Sequence, residues 1–237
     1  MNRDIFSLAG KLVVIASDIE PVAQEIAAGL AAFGAQTLLI LPARTDFASS
    51  PGERAVGQLE ADFRNDKSIS EAVDEAIRCL GGVDVLVTRF GIERSQSLID
   101  VSEADLRAEF EAVWSFLSVA QACQSSIAAR GGGVIVNLHP VSASWPAAGD
   151  APRAMASAAG LALSQSLALA GAADGIRSVA ISIGGRFGSE LAPAKRNLVG
   201  RQPDIEEVVG AIVVAASKAG GFMTATNLIV DGGELAI

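Results

Sequence analysis

Few side chains in this 237-residue chain could carry out acid–base or nucleophilic chemistry. There is one histidine, His139, and there is no tyrosine. His139 is closely followed by Ser142, and Arg153 comes shortly afterwards. A serine hydroxyl with a histidine base and an arginine to hold an anion could support a cofactor-independent lyase or dehalogenase reaction. No acidic residue that would orient the histidine is evident, so this interpretation stands as an alternative.

The composition disfavours several other classes of function. One histidine and two distant cysteines, Cys79 and Cys123, give no metal-ligand spacing, and both thiols are expected to be reduced and buried. A net charge of -9 argues against a nucleic-acid partner, which needs clustered Lys and Arg. No stretch reaches the roughly 18 apolar residues of a membrane span, and the N-terminus lacks a signal-like region. We therefore expect a cytoplasmic protein.

The elements that would position these side chains alternate along the whole chain. Apolar strand-like runs are separated by helical patterns, as in a parallel sheet covered by helices. We predict a single domain, 1–237, with a Rossmann-like, doubly wound α/β fold and helices on both faces of a seven-stranded parallel sheet. The predicted strands are Lys11–Ala16, Thr37–Leu41, Val56–Glu60, Val83–Val87, Gly133–Leu138, Ser178–Ile183 and Asn227–Val230.

Several motifs at matching intervals identify a family. "GGVDVLVTRFG" (81–91) resembles the "GxxDxLVNNAG" of the short-chain dehydrogenases and reductases. "GGGVIVNLHPVSA" (131–143) resembles their "GxIVNxSS", and "NLIVDGG" (227–233) resembles their closing "VDGG". The resemblance covers nearly the whole chain and implies the same α/β fold.

The cofactor-binding turn departs from the family pattern. The glycines of the family's TGxxxGxG turn fall on Ser17, Pro21 and Ala23, and Pro21 has no N–H to offer a pyrophosphate. Leu41 stands where the family has the acid that binds the ribose of NAD, whereas Asp62 matches the residue that contacts adenine. We therefore predict that this chain binds no nicotinamide cofactor.

The catalytic positions also differ. The resemblance places the family's Ser, Tyr, Lys and Asn on Pro140, Arg153, Ser157 and Ala112. Arg89 and Phe90 replace small or amide residues, and they are expected to fill the cleft where adenosine would lie. These substitutions predict that no family catalytic residue remains.

The parts that resemble the family's assembly surfaces are kept. In the family, two long helices and the last strand pair across two-fold axes, and the matching segments are Glu103–Ala129, Pro152–Ala172 and Asn227–Ile237. The second helix carries small residues all round, which permits close packing against a partner.

The leading functional prediction is therefore a non-catalytic (pseudoenzyme) subunit. It would assemble with, and stabilise, a sequence-related active NAD-dependent short-chain alcohol or hydroxyacyl-CoA dehydrogenase, as a heterodimer or heterotetramer with NAD in the partner. The benzylsuccinate-pathway 2-[hydroxy(phenyl)methyl]-succinyl-CoA dehydrogenase, which pairs an inactive with an active subunit, offers a comparison. Besides the cofactor-independent enzyme, a homo-oligomeric small-ligand-binding or regulatory protein is the other alternative.

Overall fold

The computed structural model describes residues 4–43, 57–91, 98–144, 151–185 and 197–237. Its strands form one seven-stranded parallel sheet in the order β3-β2-β1-β4-β5-β6-β7. The strands are β1 (Leu12–Ser17), β2 (Gln36–Pro42), β3 (Gly57–Ala61), β4 (Val85–Arg89), β5 (Gly133–Pro140), β6 (Ile176–Ile183) and β7 (Thr226–Val230). The predicted Rossmann-like α/β architecture is confirmed, and every predicted strand lies within two residues of the observed one.

Five α-helices of the described part of the chain cover the two faces of the sheet. Two separate apolar cores, one on each face, show that α1 and α5 pack on one side and that α2, α3 and α4 pack on the other. The helices are α1 (Glu20–Ala32), α2 (Asp66–Leu80), α3 (Glu103–Ala129), α4 (Ala151–Gly171) and α5 (Ile205–Ala216).

The central strands are apolar on both faces because helices cover both. Every residue of β1 and β4 is buried. Successive side chains alternate: Val13 and Ile15 enter the α1/α5 core, whereas Val14 and Ala16 enter the α2/α3/α4 core. This burial explains why these strands are continuous apolar runs rather than alternating ones.

A buried carboxylate connects the amino-terminal ends of the central strands β1 and β4. Asp84, just before β4, accepts hydrogen bonds from the backbone N–H of Leu12 (2.9 Å) and from Nε (2.9 Å) and Nη2 (3.1 Å) of Arg130. These contacts join the start of β1, the start of β4 and the end of α3. The carboxyl ends of β1 and β4, where a ligand would lie, are thereby held in register.

Two predictions need correction. Cys123 is buried as expected, but Cys79 is exposed. The segment Ala151–Asp174 is long and apolar enough to span a membrane by length and composition, although no such stretch was expected. In the fold, α4 packs on β5, β6 and α3, as a core helix does. The cytoplasmic location stays a prediction.

Candidate active site

Two adjacent cavities lie at the carboxyl ends of the central strands. In the sheet, β2 and β4 lie on opposite sides of β1, so the order of the strands reverses at β1. Open α/β sheets bind ligands at such a reversal of strand order. The larger cavity, here called the outer cavity, has a volume of about 450 Å³. Described residues around it follow β1, β2, β3 and β4 or lie on α3, and include Asp18, Pro42, Ala43, Asp62, Phe63, Phe90 and Ala108.

The aromatic residues form a wall of the outer cavity and do not fill it. The rings of Phe63 and Phe90 meet edge to face with centroids 4.7 Å apart, and Phe90 is only 9% exposed. The Arg89 side chain is also buried and belongs to the neighbouring cavity. The prediction that Arg89 and Phe90 occlude the adenosine cleft is therefore wrong, because Phe90 turns onto Phe63 in the α2/α3/α4 core.

Asp62 stands at the rim of the outer cavity, in the position predicted for adenine contact. Its Oδ1 accepts a hydrogen bond from the backbone N–H of Arg64 at 3.0 Å, which forms a tight turn after β3. Helix α2 is capped instead by the Asn65 side chain. Across the rim, Arg64 pairs with Glu111 of α3 at 2.9 Å. The rim is thus polar above an aromatic wall.

The turn after β1 is closed by its own side chains. Ser17 Oγ accepts a hydrogen bond from the N–H of Ile19 at 3.0 Å. Asp18 Oδ2 accepts one from the N–H of Gly91 at 2.8 Å, across the gap between β1 and β4. Gly91 has φ 138, a conformation that L residues rarely adopt. These bonds use the N–H of Ile19 within the turn and tie the turn to the segment after β4.

The other altered cofactor positions face inward. Pro21 lies in the first turn of α1, where a missing N–H has no cost. Ala23 and Leu41 are 0% and 2% exposed and pack together in the α1/α5 core. Leu41 therefore offers no group to a ribose.

A smaller inner cavity of about 30 Å³ lies between the ends of β4 and β5 and the helices α3 and α4. At roughly 10–15 Å³ per molecule, it has room for about two waters. The four positions that the sequence matched to family catalytic residues all line it, namely Ala112, Pro140, Arg153 and Ser157. The structure thus brings the predicted positions together, although none carries the family's residue.

Three charged residues also line the inner cavity. Arg89 and Glu109 are 5% and 6% exposed, and Arg153 is half-buried. Glu109 was missed in the sequence, although it lies about one helical turn before Ala112 and so shares its face of α3. Two guanidinium groups and one carboxylate therefore lie close to one another among the described residues of this lining.

The floor of the inner cavity is braced by polar contacts. Thr88 Oγ1 donates a hydrogen bond to Asn137 Oδ1 at 3.0 Å and so links β4 to β5. Gly160 lets α4 approach this pair, because a Cβ at Gly160 would lie 3.4 Å from Asn137 Nδ2. The close approach places Arg153 and Ser157, on the preceding turns of α4, against the ends of the strands.

His139 is held within the sheet rather than presented to a substrate. Its Nδ1 lies 3.1 Å from the carbonyl oxygen of Pro140, and its Nε2 lies 3.5 Å from Ser182 Oγ. Burial, with a smaller contribution from the charge of Arg89, lowers the pKa of His139 to about 4 despite the Pro140 contact. The ring is therefore neutral near pH 7.

The predicted group of His139, Ser142 and Arg153 is not assembled. His139 and Arg153 line the inner cavity, but Ser142 does not. The Ser142 hydroxyl is buried and makes no hydrogen bond to the described residues. Within the ranges that the structure describes, no group of three or more His, Cys, Asp or Glu residues could hold a metal ion.

Comparisons with known proteins agree with the motifs. A family model described as enoyl-(acyl carrier protein) reductase matches residues 20–234. The chain is 28% identical to gluconate 5-dehydrogenase of Gluconobacter oxydans (strain 621H), over 98% of this chain and 97% of that protein. It is 27% identical to 5-keto-D-gluconate 5-reductase of Escherichia coli (strain K12), over 98% of each.

Solved structures share the fold over the same length. A gluconate 5-dehydrogenase from Burkholderia cenocepacia J2315, solved in complex with NADP and tartrate, is 25% identical with a TM-score of 0.84 and covers 99% of this chain and 98% of its own. A short-chain type dehydrogenase/reductase from Mycobacterium marinum has a TM-score of 0.87 at 22% identity, covering 99% and 98%.

These relatives overturn two predictions. The prediction of a non-catalytic subunit is wrong, because relatives aligned over almost the entire chain are named as dehydrogenases and reductases. The prediction that the chain has no cofactor is also wrong, because a homologous structure holds NADP. A heteromeric partner stays a prediction.

The two halves of a nicotinamide dinucleotide match the described residues differently. The outer cavity, with its aromatic wall and polar rim, suits the size and chemistry of adenosine. The inner cavity is too small for a nicotinamide ring, and the Asp18–Gly91 hydrogen bond lies beside it. The inner cavity therefore matches a small polar group better than it matches a ring.

Proposed function

Because the chain belongs to the short-chain dehydrogenase/reductase family, we propose that it is an oxidoreductase that binds the adenosine half of a nicotinamide dinucleotide in the outer cavity. The observation that carries this proposal is the open cavity of about 450 Å³ at the reversal of strand order. The NADP bound by the Burkholderia relative supports the choice of ligand. When bound, such a cofactor supplies hydride exchange.

The proton that accompanies hydride exchange needs a donor or acceptor of this chain's own. The chain has no tyrosine, and the guanidinium of Arg153 at the matching position carries N–H donors but no acceptor atom. Both ring nitrogens of His139 face protein atoms. Glu109 is the one acidic residue among the described residues that line the inner cavity, and its carboxylate can accept a proton. We assign proton transfer to the Glu109 carboxylate.

Calorimetric titration with NADH, NADPH and AMP tests cofactor binding. Ala108 lines the outer cavity from α3, so an Ala108→Trp variant should place an indole in the cavity and abolish binding of all three. Ala129→Trp is the matched control, because Ala129 is exposed and lies about 30 Å further along the same helix. Failure of the wild-type chain to bind any of the three, or unchanged binding by Ala108→Trp, would contradict the proposal.

Turnover tests the assignment of Glu109. Glu109→Gln keeps the size of the side chain and removes its ability to accept a proton. A loss of about 10²- to 10⁴-fold in kcat is expected for a general base, with nucleotide affinity unchanged. Turnover is followed by the absorbance of the reduced cofactor. Equal kcat in the wild type and in Glu109→Gln would show that Glu109 does not act as the general base.

We also propose that α3 and α4 pair with a second short-chain dehydrogenase subunit. Their outer faces expose Trp114 (49%), Phe110 (41%) and Leu169 (79%), which is a large apolar area for a surface left in water. Ala158 and Ala162 lie exposed on the same helix as Leu169.

Mass measurement by light scattering tests this pairing. Ala158→Glu or Ala162→Glu should dissociate the assembly, because an unpaired buried carboxylate costs several kcal/mol. Ser70→Glu, a charged change at a polar exposed position of α2 and outside the proposed surface, should be tolerated. An unchanged mass for both Ala158→Glu and Ala162→Glu would exclude this surface as the subunit interface. Co-purification would show whether the partner is a related chain or a second copy of this chain.

A further inference from the structure

We infer that Trp114 is a positioning residue for the outer cavity, because its indole N–H holds the turn that forms part of the cavity rim. This turn comprises residues 62–66 and joins β3 to α2. Trp114 is not among the described residues that line the outer cavity, so it acts on the cavity only through the turn. The inference rests on the proposed function, because the property that it concerns is the affinity for a nucleotide.

One carboxylate receives two hydrogen bonds from the middle of α3. Trp114 Nε1 donates to Asp66 Oδ1 at 2.9 Å, and Ser118 Oγ donates to the same oxygen at 3.0 Å. Hydrogen bonds to a carboxylate are stronger than those between neutral groups. Asp66 is the first residue of α2, where a negative charge also complements the helix dipole. The two bonds therefore attach the start of α2, and the turn before it, to α3.

The residues before Asp66 also contact α3. The Ser115 hydroxyl lies 3.0 Å from the carbonyl oxygen of Phe63 and 2.8 Å from that of Glu111, so these two acceptors share its one proton. Arg64 pairs with Glu111, but both side chains are largely exposed (75% and 48%), and such an ion pair contributes little. The two hydrogen bonds to the carboxylate of Asp66 are therefore the main polar attachment of the turn to α3.

The turn carries the aromatic wall and part of the rim of the outer cavity. Phe63 forms the wall with Phe90, and Asp62 stands at the rim. The N–H of Asn65 donates to the carbonyl oxygen of Asp62 at 3.0 Å, so the ends of the turn are tied to each other. A binding site that is not held in shape has to be ordered when the ligand binds, which lowers the affinity. Loosening the attachment to α3 should therefore weaken nucleotide binding without removing any group that lines the cavity.

Calorimetric titration of the full chain with AMP tests the inference. Trp114→Phe keeps an aromatic ring and removes the indole N–H, so it should raise the Kd for AMP by about 2- to 10-fold, the range of one net hydrogen bond. Phe110→Leu is the matched control, because Phe110 is a similarly exposed aromatic residue of α3 (41% against 49%), and it should bind AMP like the wild type. Both variants alter the exposed face of α3, so an effect that came through subunit pairing alone would appear in both.

A thermodynamic cycle shows whether the indole acts through Asp66. Asp66→Ala removes the acceptor of both hydrogen bonds and should weaken AMP binding at least as much as Trp114→Phe does. Adding Trp114→Phe to Asp66→Ala should then have no further effect, since the N–H has already lost its acceptor. Asp66→Asn keeps a side-chain carbonyl oxygen and should recover part of the affinity. Additive losses in the double variant would overturn the role of this hydrogen bond.

Hydrogen exchange followed by mass spectrometry measures the turn directly, without any ligand. Backbone amides of residues 62–68 should exchange faster in Trp114→Phe than in the wild type, and at the wild-type rate in Phe110→Leu. Unchanged exchange in Trp114→Phe would overturn the inference. An unchanged Kd for AMP would do the same, even with a lowered melting temperature, because the indole would then serve stability alone. A wild-type chain that does not bind AMP would overturn the proposed function, and the exchange would still decide whether Trp114 positions the turn.

Discussion

Replacing Asp84 with alanine is expected to destabilise the protein by about 3–5 kcal/mol. The side chain of Asp84 is 6% exposed and holds the start of β1 and the end of α3 against β4. Alanine would leave the N–H of Leu12 buried without its acceptor, which costs about 1–3 kcal/mol. It would also remove two charge-assisted hydrogen bonds from Arg130.

The share of Arg130 in this loss is moderate. Its side chain is 34% exposed, so water partly replaces the lost carboxylate, and a value near the lower end of about 1.5–3 kcal/mol applies. Lys11 lies 3.8 Å from the carboxylate with 42% exposure and adds little. The Asp84→Asn variant keeps an acceptor for Leu12, so its loss should be smaller than that of alanine.

Urea unfolding followed by circular dichroism measures these losses. Arg130→Met and the Asp84→Ala/Arg130→Met double variant complete a thermodynamic cycle that isolates the pair. A loss below about 1 kcal/mol for Asp84→Ala would lie within the range of surface substitutions. Such a result would refute the idea that this carboxylate holds together the amino-terminal ends of β1 and β4.

The same carboxylate predicts a dependence on acid. Burial by itself would raise the pKa of Asp84, but the hydrogen bonds from Arg130 and Leu12 and the charge of Lys11 outweigh it and lower the pKa below its ordinary value. The stabilisation is therefore complete above the unfolded pKa and is lost as the pH falls through the lower folded one. Asp84→Asn should unfold with a weaker dependence on pH in that acidic range.

Three further results are expected. Arg177 donates hydrogen bonds to three backbone carbonyls around the end of α5, so Arg177→Met should lose about 2–4 kcal/mol in urea unfolding, and a loss below about 1 kcal/mol would contradict this role. His139 is buried with a pKa of about 4, so the unfolded chain binds a proton on this residue at a higher pH than the folded protein does, and the free energy of unfolding should fall by roughly 3 kcal/mol as the pH falls from about 6.5 to 4. His139→Phe should flatten that slope in pH-dependent melts. A thiol reagent should label exposed Cys79 in the folded protein, whereas Cys123, whose pKa burial raises to about 12, should react only after unfolding, as mass spectrometry of the labelled peptides can show.

The sequence by itself determined the elements and their order. Apolar runs and helical periodicity are local properties, so the strands were located to within two residues and α3 was placed at Glu103–Ala129, as observed. Composition alone excludes a tyrosine proton donor. The motif spacing also identified the positions that line the inner cavity, because equivalent positions of a shared fold lie at equivalent places.

The tertiary structure decided what the substituted side chains do. The sequence suggested that Phe90 blocks a cleft, but its ring packs on Phe63 from a different strand end and leaves the outer cavity open. Glu109 carried no motif, and only the packing of α3 and α4 over β4 and β5 brings it to Arg89 and Arg153. Such contacts join residues far apart in the chain, and the direction of each side chain depends on what the whole core leaves room for.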